Sequence, residues 1–177
     1  MKRFIALIGV FIAAILQVSF LPHFSTRGFL PSIIMVVVFC WCLLGDYQEA
    51  FFWAIGGGVL LDIFSSVKLS VFMISLLVIV LSLYLISNTA ISFNKYYTRT
   101  WLCGLIAILY YGLIYFFSWL FSFISFAETG IGLSTTVFWS ILLGTVANVL
   151  LMLIIYPLIA KYQKIINGFA TSLASKL

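Results

Sequence analysis

Charge is the scarcest feature of this chain. Only 7% of its 177 residues are charged, and four residues are acidic; a soluble domain carries about 25% charged residues. No polar stretch is long enough to make a second, water-soluble domain. Histidine occurs once, as His23. With one histidine and one embedded acid, no Ser–His–Asp set, Cys–His pair or carboxyl pair can be assembled, so no enzyme class is supported. The three cysteines, Cys40, Cys42 and Cys103, lie inside apolar runs without CxxC spacing. They read as small packing residues, not as disulfides or metal ligands, and no cofactor is expected. The single glycine run, Gly56-Gly-Gly58, lacks the lysine and the spacing of a phosphate loop. Inverted repeats of the transporter kind are not visible.

What is abundant is apolar surface: 65% of the residues are hydrophobic. A fold of this size has too little interior to hide that much. The chain reads as an all-α membrane protein, a compact bundle of six transmembrane helices. The apolar runs are continuous, not alternating, which argues against a β-barrel. The expected spans cover residues 4–21, 30–44, 51–64, 70–91, 101–124 and 137–155. The second and third are short and could be a re-entrant hairpin. Pro22 ends the first span, Pro31 sits in the first turn of the second, and Pro157 breaks the sixth. Residues 1–157 form the transmembrane domain. Residues 158–177 read as an amphipathic tail on the cytoplasmic membrane surface.

The net charge of +5 is a topology signal and calls for no nucleic-acid partner. Six crossings put Lys2, Arg3, Lys95, Arg99, Lys161, Lys164 and Lys176 on one side, with only Arg27 and Lys68 opposite. Losing one crossing would scatter the cations. Both termini are therefore expected in the cytoplasm.

The stretch Trp53 to Ser66 is the most informative. Gly56, Gly57 and Gly58 let a neighbouring backbone approach closely, and Asp62 follows four residues after Gly58, on the same helical face. A charge at membrane depth costs roughly 3 kcal/mol, so Asp62 needs a partner or a helix end to cap. Gly9 and Ala13 form a small-xxx-small pair in the first span. In the sixth, Ser140, Gly144 and Asn148 make a small and polar stripe, and Asn148 is the natural candidate to meet Asp62. In the fifth, Gly104, Tyr111, Gly112, Tyr115 and Ser118 suggest a packing face.

Gln17 late in the first span, then Arg27-Gly-Phe-Leu-Pro-Ser32 opening the second, then Gly56-Gly-Gly-Val-Leu-Leu-Asp-Ile-Phe-Ser65, resembles the rod shape-determining MreD family. Ser32 stands where that family often carries an acid or amide. The resemblance implies a non-enzymatic subunit of the bacterial cell-elongation complex in the cytoplasmic (inner) membrane. It would bind the bitopic protein MreC and, through it, the actin-like MreB filament and the peptidoglycan synthases. Gln17, Pro31, the three glycines, Asp62, Gly144 and Asn148 are then packing and partner-binding residues. The implied fold is similar to the substrate-binding S components of energy-coupling-factor transporters. That supplies an alternative, a vitamin-binding subunit whose Gly9/Ala13 groove docks a transport partner. Few polar groups are available to build such a pocket.

Overall fold

The computed structural model describes residues 2–20, 31–65, 70–87, 96–124 and 135–174. Among these the chain is helical throughout and contains no strand. Helix α1 (Lys2–Ile15) runs into a π-helical turn (Leu16–Phe20), followed by α2 (Ile33–Leu43), α3 (Tyr47–Phe64), α4 (Val71–Ser87), α5 (Tyr96–Ile124) and α6 (Thr135–Ala174). Two helices contain segments long and apolar enough to cross a membrane, Tyr96–Phe121 and Phe138–Ile165.

The second helix is the axis of the bundle. Every residue from Ile34 to Cys42 is buried, and α2 touches each of the other five helices. Its sequence, Ile-Ile-Met-Val-Val-Val-Phe-Cys-Trp-Cys-Leu, is apolar on all sides; such a helix faces either protein or lipid, and here its neighbours enclose it. Its end is a Schellman turn. Gly45 takes φ +78°, the Gly45 N–H donates to the Cys42 carbonyl, and the Asp46 N–H donates to the Trp41 carbonyl. Asp46 then starts α3, its Oδ1 accepting from the Glu49 N–H at 3.2 Å. One tight link therefore closes α2 and opens α3.

Several boundaries differ from expectation. Pro31 does not lie in the first turn of α2. It precedes the cap residue Ser32, whose extended backbone (φ −105°) is what a residue before a helix adopts. Pro157 does not break α6; the helix runs through it to Ala174, so the expected division at 157/158 falls inside one element. Helix α5 starts at Tyr96, taking in Tyr96 to Arg99, which were expected in a loop. The expected loops at residues 22–29, 66–69, 92–95 and 125–134 lie outside the described residues.

Candidate functional site

The start of α2 gathers three buried polar side chains, Gln17, Ser32 and Asn148. A helix leaves its first N–H groups without intrahelical partners, and inside a protein each must find one. Here two other helical elements and the cap residue supply them. Asn148 Oδ1, on α6, accepts from the Ser32 N–H at 2.8 Å. Gln17 Oε1, on the π-helical turn, accepts from the Ile34 N–H at 3.1 Å. Ser32 Oγ accepts from the Met35 N–H at 3.3 Å. The Ser32 hydroxyl also accepts from Gln17 Nε2 and donates to the Tyr110 hydroxyl of α5, each at 3.3 Å. Gln17, Ser32, Tyr110 and Asn148 are all buried. The π turn carries Gln17 at the place where its amide meets the end of α2.

Asn148 also donates from Nδ2 to the Tyr111 hydroxyl at 2.9 Å. That hydroxyl lies over Gly144, where an added Cβ would stand 2.7 Å from it. The stripe on α6 is thus explained at two positions by one tyrosine. Asn148 does not meet Asp62, because its amide is spent on Ser32 and Tyr111.

Asp62 is spent elsewhere. Its Oδ1 accepts from the Phe72 N–H at 2.9 Å and its Oδ2 from the Met73 N–H at 3.1 Å. It is buried and caps α4 from the end of α3. The reason lies at Ser70, which precedes α4 with φ +77°, outside the extended region of an ordinary cap residue. A carboxyl group from the neighbouring helix takes over, and two N–H bonds to one acid offset its desolvation.

The three glycines face three directions. A Cβ on Gly57 would come 2.5 Å from Ile34 Cγ2 of α2, and one on Gly58 would come 2.5 Å from the Met73 Cα of α4. One on Gly56 would meet only Val10 Cγ1 of α1, at an ordinary 3.6 Å. On α1, Gly9 receives the indole of Trp53, and Ala13 and Ala14 are buried, so this small-residue face packs inside the bundle. Of the face expected on α5, Tyr111 does pack on α6, but the two glycines do not serve packing. Gly104 and Gly112 have nothing within reach of a Cβ, and the buried residues are Cys103, Ile106, Ala107 and Tyr110. Sequence reasoning missed Tyr110 and the capping role of Ser32. A serine just before an apolar helical run is a start signal that would have found the second; the tyrosine carries no comparable mark.

Two apolar grooves flank the outer ridge of α3. One, of about 760 Å³, lies against α1 and is lined by Val10, Phe11, Phe51, Ile55, Gly56 and Leu60 among others, with Gln48 and Glu49 at one end. The other, of about 520 Å³, lies against α4. No group of three metal-ligating side chains occurs among the described residues. No family model matches the chain, and neither does any curated protein or solved structure.

Proposed function

We propose that this chain is a six-span subunit of the bacterial cytoplasmic membrane that works by binding, not by catalysis. In this reading it is an MreD-like member of the cell-elongation complex, and its partner is the bitopic protein MreC. Through MreC it connects to an MreB-like filament and to peptidoglycan synthases. One observation carries the reading. The segments on which the resemblance rests, around Gln17, Pro31-Ser32 and Gly56 to Asp62, organise a single architecture. Gln17 and Ser32 share a hydrogen bond, Gly57 packs on Ile34, and Asp62 caps the next helix.

Lipid surroundings account for the distribution of polarity. Phe138, Leu142, Val146, Leu150 and Ile154 form an exposed apolar row on α6, while the amides and hydroxyls turn inward. Helix α2, with eleven residues, is about 16 Å long against a hydrocarbon core of about 30 Å. Irregular backbone at that depth is tolerated when protein encloses it, as the bonds to Ser32 and Ile34 provide. At one end of the bundle Arg99 stacks over Tyr156 (4.8 Å), Tyr47 meets Tyr84 and Trp41 meets Tyr162. An arginine among aromatic rings suits a headgroup boundary, and the charge count of the sequence supports the cytoplasmic side for this end.

The vitamin-binding alternative draws less support. Gln17, Ser32, Tyr110 and Asn148 spend their polar atoms on one another and on the backbone, not on a cavity wall. The Gly9 face that would dock a transport partner is filled by Trp53. The test is co-expression with the tagged MreC-like protein of the same genome. Retention of this chain through purification in mild detergent is expected, and its complete loss overturns the proposal.

A further inference from the structure

Internal packing accounts for two glycines of the three-glycine run and leaves the third unexplained. Gly57 and Gly58 sit where any Cβ would collide with α2 or α4, whereas Gly56 would accommodate one. Gly56 instead floors the larger groove, between walls formed by Phe11 of α1 and by Phe51 and Ile55 of α3, all exposed. We propose that this α1–α3 groove seats the transmembrane helix of a single-span partner, with its backbone crossing Gly56. This rests on the membrane-subunit reading above and adds the face at which that subunit binds.

Size and chemistry favour a helix. From Gln48 to Leu60 the groove follows α3 for about 18 Å. A helix about 10 Å across occupies roughly 1,400 Å³ over that length, so a 760 Å³ groove takes about half its girth. In lipid, apolar walls alone give a helix no advantage over an acyl chain. Close backbone approach over a small residue does, through packing that a fluid chain cannot match. Among the described lining residues the polar ones are Gln48 and Glu49, beside the turn that opens α3. That end fixes the orientation of the occupant: its interfacial, polar flank lies there, and its apolar stretch runs toward Leu60.

The experiment uses the full-length chain co-expressed with its tagged single-span partner. Gly56→Leu fills the floor from the outside. It is expected to keep the wild-type yield and melting temperature while partner recovery falls at least tenfold, and Gly56→Ala is expected to retain the partner. A second measurement avoids any folding change: Ile55→Cys is cross-linked to cysteines scanned along the partner's helix, with a yield expected to repeat every 3.6 residues. Equal recovery with Gly56→Leu, together with no cross-link, overturns the groove while leaving the partnership intact. A cross-link between two copies of this chain overturns it in favour of self-association. Release of a bound phospholipid by Gly56→Leu, without loss of partner, overturns it in favour of lipid. Absence of the partner from the wild-type preparation is a different result, and it removes the functional reading itself.

Discussion

The backbone N–H of Ser32 donates to Asn148 Oδ1 at 2.8 Å, across 116 positions of sequence. The bond joins the start of the central helix to the middle of the last one. It is also half of a relay, since the same amide donates to Tyr111.

Asn148→Leu removes the acceptor and leaves a buried N–H unpaired. The expected loss is about 1–3 kcal/mol, the cost of an unsatisfied buried donor. Thermal unfolding in detergent or nanodiscs reads it as a lower melting temperature. Tyr111→Phe removes only the hydroxyl from the other side of the amide and should cost less.

Asp62 offers a graded test. Asp62→Asn keeps one acceptor for the α4 N–H groups, and Asp62→Leu keeps none. The leucine variant is expected to lose roughly 2 kcal/mol, because two N–H groups of α4 lose their acceptor, with the asparagine variant between it and wild type. Hydrogen exchange should show the first turn of α4 opening in the leucine variant while α2 stays protected.

The glycine run predicts an order of tolerance. Gly58→Ala is worst, because the added methyl meets backbone at Met73. Gly57→Ala follows, with Ile34 able to give way, and overpacking of this kind costs about 1–3 kcal/mol. Pairing Gly57→Ala with Ile34→Val should recover little, because valine keeps the clashing Cγ2; Ile34→Ala should recover more. Gly56→Ala should be neutral or gain up to about 1 kcal/mol from helix propensity. Melting temperatures of the three variants, measured side by side, check the order.

Ser70 holds a left-handed backbone without being glycine. Ser70→Gly is expected to raise stability by up to about 1 kcal/mol, since strain of this kind costs of order 1–3 kcal/mol and glycine returns part of the gain as unfolded-state entropy. Ser70→Val should lower it. A lower melting temperature for the glycine variant would show that the backbone there is unstrained.

Much of the bundle was legible because lipid-like composition and single polar residues are loud signals in an apolar chain. Gln17, Asp62, Gly144 and Asn148 stood out by type, and each does hold a specific contact. Their pairing was not legible. Asp62 and Asn148 looked complementary, but the sequence of α3 does not reveal that Ser70 would fail to cap α4 and so claim the acid. Tyr110 stayed hidden because one tyrosine among several in α5 differs only in which way it faces. The break expected at Pro157 failed for a related reason. A proline removes one N–H from a helix, and the helix here continues past it.

The bond between Ser32 and Asn148 also sets an order of completion. Helix α2 is synthesised early, but one of its capping groups arrives 116 residues later. At about 5–20 residues per second that interval is roughly 6–23 s. Until then the leading N–H of the central helix lacks its native acceptor. A chain stopped before Asn148 is therefore expected to leave that N–H without its native partner, so the last helix completes the cap of one made long before it.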